Sequence, residues 1–327
     1  HLLQASVRHL GTDINYVVLK NLFAELSGKV DFHFRTRIEK VKKEENGYAL
    51  ITDQQESFSG KYCIISTGRS GSKWMQSICD SLGIRTESNR VDIGVRVELP
   101  ADIFAHLTDE LYESKIVYRT KKFQDRVRTF CMNPGGLVSE EHYEGGIAVV
   151  NGHSYNDASL RTENTNFAML VSTHFTKPFG EPIRYGNYIA QLGNMLTGGG
   201  VMVQRLGDLL LGRRTDESRL AKSTTRPTLK TAVPGDLSFV LPHRHLTSII
   251  EAMRAFDKLA PGLYSRNTLL YGVEVKFYSS KVNVNNRFET SVSGLYAIGD
   301  GAGITRGLMQ ASVTGVCVAR DIKKSCK

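Results

Sequence analysis

Apolar positions along this chain follow two rhythms, and the switches between them mark most of its predicted elements. Ile14, Val17, Val18, Leu22 and Leu26 recur at helical spacing after Gly11-Thr12-Asp13. Thr12 or Asp13 suits the N-cap of that helix, and Gly28 provides a stop. Val30, Phe32 and Phe34 then alternate, the spacing of a strand. Two further strand-like runs, 37–43 and 48–52, flank Asn46-Gly47, a strong two-residue hairpin signal. Residues 61–68 read as a buried strand ending in the small turn Thr67-Gly68. A second short apolar run, 295–298, ends in Gly299-Asp300-Gly301-Ala302-Gly303, after which Leu308, Ala311, Val316 and Val318 can continue as a helix.

Between residues 87 and 281 the pattern is shorter and mixed. Strands are predicted over 93–99, 115–119, 127–132 and 146–150, and helices over 166–171, 188–196 and 246–259. Short strands without regular intervening helices favour antiparallel pairing. Glycine-rich loops fall at 135–136 and 198–200, and there is no internal repeat or low-complexity linker.

Composition narrows the class. The chain has 327 residues, which suggests about two domains. The net charge of +9 is spread along the sequence rather than gathered in one patch, which disfavours a nucleic-acid partner. Five cysteines (Cys63, Cys79, Cys131, Cys317 and Cys326) form no C-x-x-C pair, so neither a disulfide scaffold nor a zinc site is suggested, and a reduced cytoplasmic setting fits best. No apolar run approaches the roughly 18 residues of a membrane span. His243 and His245 flank Arg244 without further ligands nearby and read as a surface loop, so no metal is expected.

Candidate chemistry sits at three places. Asp300, at the tip of a strand and between glycines, can accept hydrogen bonds from a polyol. The helix start that follows offers unpaired N–H groups to an electron-rich ligand. Cys131 stands beside the tight turn Asn133-Pro134-Gly135-Gly136. Asn151 and His153 follow an apolar run, where strand-end site residues often lie, and His153 could act as a general acid or base. The plainer readings are a small buried cysteine and a loop of satisfied hydrogen bonds. Arg205 and Asp208 either pair with each other or clamp an acidic substrate. Trp74 is expected to pack under the loop after Thr67-Gly68.

The Gly299-Asp300 turn resembles the C-terminal FAD motif of glutathione-reductase-type flavoproteins. The order helix, strand, hairpin, strand, Thr67-Gly68 resembles the second half of a two-dinucleotide-type FAD domain. The segments 130–136, 151–155 with Asn164 and Asn166, and 198–213, together with His9-Leu10-Gly11-Thr12-Asp13, are similar to a bacterial family of uncharacterised FAD-dependent dehydrogenases, members of the NAD(P)/FAD-dependent oxidoreductases. The likeness runs through nearly the whole chain.

It implies an α/β fold: a Rossmann-like FAD/NAD(P)-binding domain formed by residues 1–86 and 282–327, with an inserted mixed α/β substrate domain over 87–281. It implies FAD as cofactor, bound by Thr67, Gly68, Gly299, Asp300, Gly301, Ala302, Gly303, Arg306, Gly307, Leu308 and Met309, and hydride transfer between a substrate and flavin N5. Cys131, Asn151 and His153 are the catalytic candidates. Asn133, Pro134, Gly135, Gly136, Arg205 and Lys276 are the substrate-pocket candidates. NAD(P)H or another electron donor is left open, since no second dinucleotide motif occurs.

Two departures qualify these expectations. Family members carry a Gly-x-Gly-x-x-Gly turn ahead of the region where this chain begins. That spacing is absent here, so an incomplete FAD domain with weak FAD binding or none is expected, and an exposed sheet edge that invites a homodimer. Val275-Lys276 also stands where the resemblance leads to Thr-Arg, which loses the planar fork of an arginine. A rival expectation is a non-catalytic binding protein on the same scaffold, with an anionic partner such as RNA.

Overall fold

The structure is a computed structural model describing residues 11–325 apart from Tyr112 and Glu144, with only the backbone described for Gly11 and Thr12. His9 and Leu10 of the quoted motif, and Cys326, lie outside the described residues. Helices and strands mix throughout, so the chain is α/β.

Helix α1 (Gly11–Leu26) carries Asp13 in its first turn, where a carboxylate faces unpaired backbone N–H groups. Gly28 ends it at φ +81°, a left-handed conformation that costs glycine little. The strand expected at Val30, Phe32 and Phe34 does not form. Only an isolated bridge joins Ser27 to Val30, and the Phe32 and Phe34 rings stack on each other with centroids 5.8 Å apart. Alternation alone does not make a strand when no neighbouring strand among the described residues takes up its backbone groups.

The hairpin does form. β1 (Ile38–Glu44) pairs antiparallel with β2 (Gly47–Thr52), and Glu44 faces Gly47 across the two-residue turn. Gly47 is required there, because a Cβ would overlap the Gly60 carbonyl of β3 (Ser57–Gly60), the next antiparallel strand. β4 (Cys63–Ile65) leads through Thr67-Gly68 into α2 (Ser72–Ser81), which carries Trp74, and then β5 (Thr86–Glu87). Trp74 packs, partly buried, on a core that includes Cys63, Met75 and Cys79.

β6 (Val91–Pro100) is buried along nearly its whole length. It is followed by α3 (Ala105–Leu111), β7 (Val117–Arg119), β8 (Arg126–Asn133), β9 (Leu137–Tyr143), β10 (Ile147–His153) and β11 (Asn164–Thr173). The helix expected over 166–171 is instead part of β11. Its eight leading residues are buried, and a continuous apolar run buried on both faces carries no period that separates a strand from a helix.

After α4 (Pro182–Thr197) come β12 (Met202–Arg205), α5 (Leu206–Leu210), α6 (Glu217–Ala221), β13 (Val233–Pro234), α7 (His243–Phe256) and β14 (Leu269–Lys276). His243 and His245 do not form a surface loop. They open α7, with His245 on its buried face beside Ile249 and Ala252. β15 (Lys281–Val282), β16 (Leu295–Ala297) and α8 (Leu308–Ser325) complete the order.

The chain divides into two compact units. One comprises residues 1–30, 92–173 and 184–276; the other comprises 31–91, 174–183 and 277–327. The first is built on a seven-stranded sheet of order β13-β12-β14-β6-β11-β8-β7. β12 runs parallel to β13, while β12–β14, β14–β6, β11–β8 and β7–β8 are antiparallel. Gly94 lies where the β6 backbone meets that of β11, and a Cβ would overlap the Met169 carbonyl. Val97, Phe167, Leu170, Val203 and Leu269 are fully buried, each burial worth about 1.5–3 kcal/mol.

In the second unit β16 pairs parallel with β4, Leu295 to Cys63 and Ala297 to Ile65. Its core gathers Val41, Tyr48, Cys63, Ile65, Ile78, Leu295 and Ala302. No helix among the described residues is long and apolar enough to cross a membrane.

Candidate functional site

Parallel pairing of β4 with β16 sends both strands out at one edge, so Thr67-Gly68 and Gly299-Asp300 emerge side by side. Ligands in open α/β sheets bind at such carboxyl ends. The approach is close: a Cβ on Gly301 would lie 2.6 Å from the Gly68 carbonyl oxygen and 2.7 Å from Thr67 Oγ1. Thr67 Oγ1 is itself buried without a hydrogen-bond partner among the described residues. Gly299 takes φ +71°, ψ −165°, a region open essentially to glycine alone. Gly303, in the left-handed region, abuts the carbonyls of Ser279 and Ser280, and Ala302 is fully buried in the core.

Asp300 accepts from Arg69 Nε at 3.1 Å and from Thr305 Oγ1 at 2.6 Å, and its side chain remains 19% exposed. The Arg306 guanidinium lies over the Tyr278 ring, 4.4 Å from its centroid, and Nη2 donates to Asn89 Oδ1 at 3.3 Å. Gly307 precedes α8, whose first residues Leu308 and Met309 are 76% and 74% exposed. The N–H groups of that first turn have no intrahelical acceptor, as at any helix start.

A second cluster lies in the unit built on the large sheet. Asp92, Gly94, Arg96 and Glu98 occupy alternate positions of β6, and Glu274 and Lys276 alternate on β14. Arg96 donates to Glu274 from Nε at 2.9 Å and from Nη2 at 3.2 Å, with neither side chain exposed. Arg96 Nη1 donates to Asn166 Oδ1 at 2.6 Å and to the Cys131 carbonyl at 3.3 Å. Lys276 Nζ sits 2.9 Å from Glu274 Oε1 and 3.5 Å from Asn151 Oδ1. Asn133 Nδ2 bridges the Cys131 carbonyl at 3.0 Å and Asn166 Oδ1 at 3.3 Å. β10 lies directly over this network at Gly152, where a Cβ would overlap Arg96 Nη1 and Asn166 Oδ1.

The electrostatics follow from depth. Burial alone would raise the Glu274 carboxyl, but Arg96 and Lys276 together hold it below its ordinary value. Burial opposes the Arg96 charge, and Glu274 more than offsets this, so the guanidinium titrates above its usual range. His153 moves the other way: burial, then the Arg96 charge, and less so Lys276 lower it against the opposing pull of Glu141. The imidazole is therefore neutral near pH 7.

Cys131, Asn133, Asn151, His153 and Lys276 thus come together, as does Gly136, whose Cβ would overlap the His153 carbonyl. Cys131 holds φ +49°, a strained value for a residue with a side chain. Pro134 and Gly135 form the turn beyond it, and Gly135 accepts from the Thr162 N–H at 2.8 Å. Arg205 lies elsewhere and does pair with Asp208, at 3.8 Å; it also bonds Asn267 at 2.9 Å and the Arg219 carbonyl at 3.1 Å, while Asp208 is further held by Arg213 at 3.0 Å and Thr215 at 2.9 Å. Sequence reasoning missed Arg96, Glu274 and Arg69. The signal for the first two was present: charges of opposite sign at every second position of two otherwise apolar strands. Among the described residues, no group of three or more His, Cys, Asp or Glu side chains could hold a metal ion.

A protein of Clostridium beijerinckii, described only as an uncharacterized protein, is 27% identical over 336 residues, covering 97% of this chain and 62% of its own length. The chain thus spans under two thirds of that relative. Among solved structures, a salicylate hydroxylase substrate complex is similar over 92% of this chain and 54% of its own, at 9% identity and a TM-score of 0.39. A putative FAD containing monooxygenase from Photorhabdus luminescens subsp. laumondii is similar over 91% and 60%, at 13% identity and a TM-score of 0.37. The model of the family described as FAD-dependent protein, C-terminal domain-like, matches residues 90–277, more than half of the sequence. The chain belongs to that FAD-dependent family, and its cofactor is FAD.

Proposed function

We propose that the chain acts as an FAD-dependent oxidoreductase of the dehydrogenase kind, with the flavin held at the paired ends of β4 and β16. The observation that carries this reading is the approach of Gly301 to Thr67 and Gly68, which unites two turns more than two hundred residues apart in sequence. The residues present fit the group. Thr67 Oγ1 is buried and unpartnered, the glycines leave room for a ligand against backbone, and Asp300 is fixed by Arg69 and Thr305 as an acceptor for polyol hydroxyls. When bound, FAD supplies hydride exchange at N5 with a substrate. The first turn of α8 offers N–H groups to an electron-rich ring, and Arg306 adds positive charge beside it. The unit built on the large sheet is assigned the substrate side, because it holds the buried cluster around Cys131, Asn151 and His153.

The test is a fluorescence titration of FAD with this chain, run beside the longer Clostridium relative. Saturable quenching, weakened in Gly301→Val, is expected. If neither protein binds or shows flavin absorbance in the visible, the oxidoreductase reading fails. A binding scaffold for an anionic partner then takes its place, recognised by a steep salt dependence.

A further inference from the structure

Arg69 ties the two turns of the cofactor site together. It follows Thr67-Gly68 at the end of β4, and its guanidinium reaches Asp300, 231 positions away at the end of β16. Both contacts fall on one carboxylate oxygen: Nε donates to Asp300 Oδ2 at 3.1 Å, and Nη2 lies 3.1 Å from the same atom. The other oxygen, Oδ1, accepts from Thr305. The buried pair of Arg96 and Glu274 is built differently, with Nε and Nη2 on separate oxygens. A guanidinium carries donors on every one of its nitrogens, so the Nη1 edge of Arg69 is left without a partner among the described residues.

This place is open to a ligand. The Arg69 side chain is 31% exposed, and Ser66, Gly68 and Ser70 around it are exposed as well. The pair with Asp300 is therefore hydrated rather than locked in the core, and such a pair can share its charge with a third group. Asp300 offsets part of the Arg69 charge, but further positive potential lies close by. α2 begins just beyond Arg69, and its cap position, Gly71, places no side-chain acceptor on the first turn. FAD joins a polyol directly to a diphosphate. The aspartate that accepts from the polyol and the arginine bonded to it thus match neighbouring parts of one ligand.

We propose that Arg69 recognises the diphosphate of the cofactor, its Nη1 edge binding phosphate oxygen while its Nε edge stays on Asp300. The planar fork of a guanidinium suits phosphate, and anchoring on Asp300 orders it before the ligand arrives. Arg69 is then the residue that selects phosphorylated flavins over riboflavin. The inference rests on placing the flavin at the ends of β4 and β16.

Isothermal titration calorimetry of the full chain with FAD, FMN and riboflavin is the test, because these ligands share ring and polyol and differ in phosphate. Arg69→Ala should weaken FAD and FMN by at least about ten-fold, the loss of a charged hydrogen bond, and riboflavin far less. Arg69→Lys keeps the charge without the fork and should fall between the parent and Arg69→Ala. Added salt should weaken FAD binding to the parent chain and leave riboflavin nearly unchanged, a readout that needs no variant and decides the matter if Arg69→Ala does not fold. An equal loss for all of these ligands in Arg69→Ala would make Arg69 a support for Asp300 only, and overturn the proposal. So would unchanged FAD affinity in that variant, or a parent chain that binds riboflavin as tightly as FAD. Each of those results leaves the flavin site in place. A parent chain that binds none of the ligands rejects the flavin reading itself, and the proposal falls with it.

Discussion

Arg96 on β6 and Glu274 on β14 face each other through two bonds, 2.9 and 3.2 Å long, with both side chains withdrawn from water. Replacing only one partner leaves the other charge buried and uncompensated. Glu274→Gln strands both Arg96 and Lys276, and should destabilise the chain by about 3–5 kcal/mol. Urea denaturation of the two proteins checks this; a loss below about 1 kcal/mol would show that the network contributes little.

Gly301 tests the cofactor site. Its missing Cβ would press on the Gly68 carbonyl and Thr67 Oγ1, the first of which is backbone and cannot swing away. Gly301→Val should therefore widen the two turns, lowering FAD affinity by roughly ten-fold or more, at a stability cost of about 1–3 kcal/mol. The dissociation constant and melting temperature are read together. Unchanged affinity at a lowered melting temperature would make Gly301 a packing residue only.

Acid sensitivity is expected from His245. Burial, opposed by Asp125 and reinforced by Arg244, brings its imidazole down to about 4, while its Nε2 lies 2.8 Å from Thr173 Oγ1. Because the folded value lies below the unfolded one, the unfolded chain binds the extra proton first. Stability should fall as pH drops from about 6.5 towards 4, by roughly 3 kcal/mol in total. His245→Gln should flatten the pH dependence of stability in that window. A profile identical to that of the parent would show that other groups dominate.

Gly152 gives a fourth check. Its backbone rests on Arg96 Nη1 and Asn166 Oδ1, and a methyl group there must displace both. Gly152→Ala should cost about 1–3 kcal/mol and raise the His153 titration midpoint, as Arg96 is pushed away from the ring. NMR titration of His153 reads the second effect, which a loosening of β10 elsewhere would not produce.

Much of the frame was legible in the sequence, because local chemistry and tertiary structure agreed there. Asn46-Gly47 marked a hairpin that forms, and the apolar runs before Thr67 and Gly299 became β4 and β16. Legibility failed where a segment's environment, not its own pattern, decided the outcome. Val30, Phe32 and Phe34 alternate yet find no partner strand among the described residues. Residues 166–171 lie in a strand buried on both faces, where helix and strand look alike. In the candidate site the small turns were readable because glycine reports close approach. Arg96 and Glu274, 178 positions apart, were not, since each looks like a solvated charge until β14 is laid beside β6.

The alternating charges of β6 also act on how the sheet is assembled. A slip of one residue against β14 would turn Arg96 and Glu98 towards the opposite face, away from Glu274 and from Tyr271, whose hydroxyl donates to Glu98. A slip of two would keep the faces but part each charge from its partner. Apolar strands tolerate such slips far better, because one buried valine replaces another. The ion pairs thereby act as a key to strand register, and one alignment of β6 with β14 is favoured even before any ligand is present.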